Sequence, residues 1–176
     1  GIESETQAES AVYSTDRTRW SPQWMPNAPG QSVLRGANLS FADMHGADLS
    51  FKDLTGADLR YADLRNARLV YTHLEDADLS FADLRRARLV YTDLEDANLS
   101  FADLSDAVLI DADLSGTDLY QADLSEADLR FTTNLNQAFN TDMAFWFETN
   151  CPDDSMNVGT QPCSGDQLIP AVFWPT

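Results

Sequence analysis

The sequence predicts an all-β fold: a quadrilateral solenoid of about five stacked coils, closed by a short helical C-terminal cap. Three observations predict it. From Leu34 to Leu129 every fifth residue is Leu, with Met44 the single exception. The residue two before each is nearly always small, from Ala37 to Ala127, the exceptions being Lys52, Thr72, Thr92 and Thr117. Residues 61–80 (YADLRNARLVYTHLEDADLS) and 81–100 (FADLRRARLVYTDLEDANLS) agree at sixteen of twenty positions, so a period of twenty lies over the period of five.

A period of five excludes the two common elements. A helix advances about 100° per residue, so Leu at spacing five would spread around the whole circumference and leave no face to bury. A strand alternates faces at every residue, so spacing five would send successive Leu to opposite sides. A chain that bends every five residues satisfies the pattern, with Leu and the small residue turned inward. Four pentapeptides then make one turn. Coils stacked at about 4.8 Å give a rod roughly 24 Å long for twenty repeats. Each buried Leu contributes roughly 1.5–3 kcal/mol.

The unit Ala-(Asp/Asn)-Leu-x-x, tandem over residues 34–131, closely resembles the pentapeptide-repeat proteins. That resemblance implies a right-handed quadrilateral β-helix. It also implies two kinds of role. Some members are cyanobacterial or chloroplast-lumenal proteins of unknown role, and others are DNA mimics that bind DNA gyrase and protect it from quinolones.

Residues 1–30 lack the repeat. The first dozen are polar; Trp20, Pro22, Trp24, Met25, Pro26 and Pro29 follow, and this irregular segment is expected to cap the first coil, because stacked repeats need covered ends. Residues 31–133 form the β-helix. Within it Lys52 occupies an inward slot; its stem is expected to lie along the core with the amine in solvent, a bulge being the other solution. Residues 134–176 form the C-terminal cap. The frame breaks at Asn134, and Leu135, Phe139, Met143 and Trp146 or Phe147 recur at helical spacing, which predicts one or two short helical turns. Leu168, Ile169, Val172, Phe173 and Trp174 are expected to fold back.

Cys151 and Cys163 flank a stretch rich in turn residues. A zinc site normally takes four ligands, and His45 and His73 are far away in sequence. A disulfide closing this loop is the better reading, two free thiols the alternative. A disulfide persists in an oxidising compartment, which points to periplasm or thylakoid lumen after removal of a targeting segment; the cytoplasm is the alternative.

Acids outnumber bases 29 to 11, the formal charge is −18 and the pI is about 4.1. This argues against direct nucleic-acid binding, which needs clustered Lys and Arg, and against anionic lipid. No apolar run approaches the roughly 20 residues of a membrane span. There is no Gly-rich phosphate loop and no nucleophile or metal motif around the two His, so no enzyme, cofactor or dedicated metal site is expected.

Residues twenty apart should stack into columns. Two are acidic: Asp43, Asp63, Asp83, Asp103, Asp123, and Asp53, His73, Asp93, Asp113. Two are aromatic: Phe41, Tyr61, Phe81, Phe101 ending at Gln121, and Phe51, Tyr71, Tyr91, Asp111, Phe131. The carboxylates are expected to accept local backbone N–H groups at turns. Arg65, Arg68, Arg85, Arg86 and Arg88 fall on the two middle coils and form a candidate docking patch for an acidic protein partner. The sequence reads as a noncatalytic structural or interaction module, monomeric or weakly dimeric. The alternatives are an acidic DNA mimic that binds gyrase and, third, weak divalent-cation binding along the Asp columns.

Overall fold

Each pentapeptide closes one β-turn. The carbonyl of the inward Leu accepts the N–H three residues on, as in Ala42 N–H to Leu39 O at 3.1 Å and Ala57 N–H to Leu54 O at 2.9 Å. The third residue of each turn is left-handed: φ is 60° at Phe41, 66° at Gly46, 62° at Phe51 and 66° at Gly56, and the series continues at every fifth position to Phe131. Such a turn sends the chain round a corner of about a right angle, and four corners return it to its starting side. A computed structural model describes residues 34–153, 155–157 and 162–163. The expected N-terminal cap with Trp20 and Trp24, and the returning tail with Leu168 to Trp174, lie outside the described residues.

The coils stack in parallel and in register. Asn38 bridges Asp58, Asp58 bridges Asp78, and so on up one side; the other three sides run from Asp43, Asp48 and Asp53 in the same way. We number the sides 1 to 4 by those first residues. Up to Asp111 each pentapeptide repeats three bonds to its neighbours, as in Leu39 N–H to Asp58 O (2.7 Å), Phe41 N–H to Arg60 O (2.8 Å) and Asp58 N–H to Ala37 O (2.9 Å). The pairing is therefore that of a β-helix, although each side contributes only single-residue bridges.

From Leu39 to Leu129 every fifth residue is at most 2% exposed, Met44 included. The small slot beside it is filled by Ala or Thr. Where Thr enters, its hydroxyl donates to a carbonyl of the coil below: Thr72 to Leu49 O at 2.9 Å, Thr92 to Leu69 O at 2.7 Å and Thr117 to Leu94 O at 2.9 Å. A buried hydroxyl without such a bond would be costly. Lys52 is half-buried, and the backbone stays in register through it, with Lys52 N–H to Leu49 O at 3.1 Å and His73 N–H to Lys52 O at 3.0 Å, so no bulge forms.

The pentapeptide frame breaks at Asn134, but the stacking does not end there. Pairing continues into a sixth layer, with Phe139 bridging Asp118, Phe145 bridging Asp123 and Asn150 bridging Asp128. The separation grows from 20 at Asp113 and Thr133 to 21 at Phe139 and 22 at Phe145 and Asn150. Two single 3-10 turns, Leu135–Gln137 and Thr141–Met143, take up the extra residues. Each follows a left-handed Asn, Asn134 at φ 59° and Asn140 at φ 55°, a conformation Asn tolerates better than most residues. The short helical turns expected over this stretch occur as these two 3-10 turns, which widen corners of the coil; among the described residues they do not form a separate helical cap over its end. The supposed apolar stripe of this stretch is not a buried one: Phe139 and Met143 are exposed, while Leu135, Ala144, Trp146 and Thr149 turn inward. Trp146 donates its indole N–H to Thr141 O at 2.8 Å. Beyond the coil, β1 (Thr149–Asn150) pairs antiparallel with β2 (Met156–Asn157), and a disulfide joins Cys151 to Cys163 with Cα atoms 5.3 Å apart.

Candidate functional site

Where the outward residue just before the inward Leu is Asp or Asn, it follows one local rule. Its side-chain oxygen accepts the N–H two residues on: Ser40 N–H to Asn38 (3.1 Å), Thr55 N–H to Asp53 (3.1 Å), Ser105 N–H to Asp103 (3.1 Å), Ser125 N–H to Asp123 (2.9 Å). The carboxylate columns are built from this turn chemistry, as expected from the residue type. When the residue two on is Arg, its guanidinium folds back as well. Arg60 Nε lies 2.8 Å from Asp58, Arg65 Nε 2.8 Å from Asp63, Arg85 Nε 2.8 Å from Asp83 and Arg130 Nε 2.9 Å from Asp128. Each Asp-Leu-Arg triplet thereby forms a two-pronged fork. The forks hold the carboxyls of Asp58, Asp63 and Asp128 below their ordinary value of 3.8, chiefly through those hydrogen bonds.

This rule divides the five candidate arginines. Arg65 and Arg85 are folded onto side 2; they also reach the next carboxylates up, Asp83 at 3.6 Å and Asp103 at 3.5 Å. Arg86 stands at the corner between sides 2 and 3, left-handed at φ 59°, with Nε 3.4 Å from Asp106. Arg68 and Arg88 are bridge partners in the middle of side 3 and are both exposed. Among the described residues neither makes a side-chain hydrogen bond or an ion pair within 4 Å. Arg68 and Lys52 add to the lowering of the Asp48 carboxyl, whose main cause is the bonding from Ser50.

The surroundings of this pair differ from those of the other sides. Two residues on from each Arg comes a half-buried Val, Val70 and Val90, and then an exposed corner Tyr, Tyr71 and Tyr91. The two Tyr rings stack at 4.7 Å, and Phe51 extends the column at 5.3 Å from Tyr71. Above, the same positions hold Val108 and Ile110, also half-buried. Side 3 therefore presents cations, aliphatic groups and flat rings together. The opposite aromatic corner, Phe41, Tyr61, Phe81 and Phe101, stacks at 4.7–4.8 Å and continues side 1 into the acidic side 2. Bulky residues at positive φ are strained; stacking between coils offsets part of that cost. The tetrad Arg-Leu-Val-Tyr, repeated at 68–71 and 88–91, is the sequence signal that marks the two valines.

Side 4 carries a different cluster. His73 Nδ1 is 3.0 Å from Glu75 Oε1, and Asp93 lies directly above. Burial, with the charges of Glu75 and Asp113, pushes the Asp93 carboxyl up from its ordinary value. His45 is on side 2, where its N–H is held by Asp43 at 3.3 Å.

Comparison with known proteins places these features. The family pattern described as Pentapeptide repeats (8 copies) matches residues 30–50, 53–89, 62–100 and 92–130. Among solved structures the chain is similar to a pentapeptide repeat protein (Rfr23) from the cyanobacterium Cyanothece 51142. Identity there is 33%, the match covers 52% of this chain and 63% of that one, and the TM-score is 0.51. It is also similar to a pentapeptide repeat protein from the thylakoid lumen of Arabidopsis thaliana, at 34% identity over 58% of this chain and 76% of that one, TM-score 0.49. A third is HetL from Nostoc sp. strain PCC 7120, described as involved in heterocyst differentiation regulation, at 33% identity over 70% and 63% of the two chains, TM-score 0.35. The match thus spans under two thirds of the Cyanothece chain's length. No curated protein sequence matches. Proteins of this pattern are in general structural or interaction modules, and their solenoid is a right-handed β-helix. On the repeats it carries from residue 30 to residue 130, the chain belongs to the pentapeptide repeat family.

Proposed function

We propose that this protein is a noncatalytic interaction module that works outside the cytoplasm, in a periplasm or thylakoid lumen, and docks an acidic protein partner on side 3. The observation that carries the reading is the Arg68–Arg88 pair, exposed and free of ion pairs among the described residues, set beside Val70, Val90, Tyr71 and Tyr91. Arg and Tyr beside aliphatic groups are the residue types that dominate binding energy at protein interfaces. The wider patch of five arginines contracts to this pair, because Arg65 and Arg85 are held by carboxylates of their own side and Arg86 is paired with Asp106. The compartment rests on the Cys151–Cys163 bridge, which a reducing cytoplasm would not maintain. Among the described residues no helix is long and apolar enough to cross a membrane.

A photo-reactive phenylalanine analogue in place of Tyr91 tests the surface in native cells. The expected result is a cross-link to a discrete partner that disappears when Arg68 and Arg88 are both changed to Ser. The same analogue at Phe101, on the opposite corner, should give none. A cross-link that survives the double substitution, or forms equally at Phe101, overturns the reading. Trapping thiols during lysis and counting free cysteines by mass tests the compartment; two free thiols would return the protein to the cytosol.

The charge of −18 and the Asp column on side 2 favour a second reading, an acidic DNA mimic that binds gyrase. The guanidinium groups of Arg65 and Arg85 neutralise the middle of that column. A supercoiling assay decides: no inhibition at micromolar protein removes this option.

A further inference from the structure

The middle of side 4 reads Asp53, His73, Asp93, Asp113 and Thr133. Its carboxylates are compensated one by one, except at the centre. Asp53 has Arg35 at 3.7 Å. Asp113 accepts the Asn134 amide at 2.9 Å and the Ser115 N–H at 2.9 Å. Asp93 accepts the Glu95 N–H at 3.1 Å, and its side-chain neighbours are the carboxylates of Glu75 and Asp113 and the His73 ring.

His73 and Glu75 break the pattern of the column in a coordinated way. His73 sits where an Asp stands in the coils below and above, and so cannot make the usual bond to the N–H two residues on. Its ring instead turns along the chain, and Nδ1 meets Glu75 Oε1 at 3.0 Å. The other oxygen of Glu75 accepts the Thr55 hydroxyl at 3.3 Å, which steadies the carboxylate from the coil below. The backbone holds both layers: His73 N–H bonds Lys52 O at 3.0 Å, Leu74 N–H bonds Asp93 O at 2.9 Å and Asp93 N–H bonds Thr72 O at 3.1 Å.

We propose that His73, Glu75 and Asp93 bind one divalent transition-metal ion, with Zn2+ the best-fitting choice. One imidazole nitrogen and one oxygen from each carboxylate already lie within 4.8 Å of one another. Around an ion with bonds near 2.0–2.2 Å the ligand atoms stand about 3–3.5 Å apart, and the His73–Glu75 separation is at that value. Rotation of the Asp93 side chain closes the third edge. The ion takes the place of the proton between His73 and Glu75 and supplies the positive charge that Asp93 lacks. The imidazole decides the class of metal: it suits zinc and its neighbours, whereas calcium and magnesium need more oxygens than this face offers. Three protein ligands on an open surface leave one coordination position outward, available to water or to a donor on another molecule.

The test is calorimetric titration of the tag-free, disulfide-intact protein with Zn2+ in a non-chelating buffer, with thermal melts to show that each variant is folded. The expected result is one saturable equivalent, weakened at least 10-fold in His73→Gln and in Asp93→Asn and unchanged in His45→Gln. The imidazole proton resonances of His73 should shift on saturation while those of His45 stay fixed. Absence of saturable binding overturns the proposal. So does binding that all three variants lose equally or retain equally, since that behaviour belongs to diffuse counter-ion association with the acidic rod.

Discussion

Between residues 54 and 133 each coil takes twenty residues and sets Asp or Asn in most outward mid-side positions. Between 134 and 150 the coil needs one or two residues more, and Phe139 and Phe145, each more than half exposed, stand where Asp118 and Asp123 stand one layer below. The mid-side hydrogen bonds to the layer below are nonetheless kept, with Leu119 N–H to Phe139 O at 3.1 Å and Leu124 N–H to Phe145 O at 2.9 Å, while the corner bonds that the earlier coils make at every fifth residue are not made by the Gly116 and Gln121 N–H groups. The difference teaches that the solenoid is defined by backbone pairing plus an inward apolar slot. The pentapeptide consensus is the most economical way to meet those two demands, and Leu135 and Trp146 meet them without it. Surplus residues go to the corners, where a left-handed Asn and a 3-10 turn enlarge the bend without disturbing the sides.

The largest effect that separates the two regions is a core truncation. Leu84→Ala, at the middle of the rod, should cost about 2–5 kcal/mol in urea unfolding. Leu135→Ala should cost less, because its layer has a neighbour on one face only and can loosen alone. Equal losses would instead show that the sixth layer belongs to the same cooperative unit as the rest.

A middle-sized effect comes from the disulfide. The double substitution Cys151→Ser and Cys163→Ser removes a constraint worth about 3 kcal/mol by chain entropy for a loop of this size. Amide exchange should then quicken over residues 134–150 while residues 59–109 keep their protection. Faster exchange throughout would mean that the end layer guards the whole stack.

The smallest effect distinguishes the regions by charge. Residues 134–153 contain no Lys or Arg, so no Asp-Leu-Arg fork forms there. The carboxyls of Asp58, Asp63 and Asp128 lie below 3.8 in the folded protein, so their contribution is present above that pH and fades as the pH falls through the lowered midpoints. These are half-exposed pairs screened by solvent, so each contributes little. Carbon-detected titration should show the Asp63 midpoint rising toward 3.8 in Arg65→Ser, with that of Asp128 unmoved.

The repeat coils were legible because their information sits in the inward slots, and a period of five with four corners admits one solution. The sixth layer was not, since a shift of one and then two residues at Phe139 and Phe145 destroys the period that identifies a coil. The helical spacing of Leu135, Phe139 and Met143 arose by coincidence, and the left-handed Asn134 and Asn140 are what break it. The arginines were legible as a group, whereas a linear sequence does not show that Arg65 and Arg85 fold back two residues onto Asp63 and Asp83. The same blind spot hid Glu75: His73 and Asp93 were visible as a column, whereas Glu75 reaches them sideways from the next turn position.

The unbroken stacking of Leu39 through Leu129 has a consequence for how the exterior can change. Every outward residue has a height, set by its coil, and a bearing, set by its side. Two residues twenty apart share a bearing and differ in height by about 4.8 Å; two residues five apart lie a quarter-turn away at nearly the same height. A ligand lying along the rod therefore meets one bearing and is sensitive to substitutions spaced by twenty, whereas one that wraps around it is sensitive to substitutions spaced by five. Because the interior is the same at every bearing, each strip of surface can be rewritten while the other three, and the leucines behind them, stay as they are.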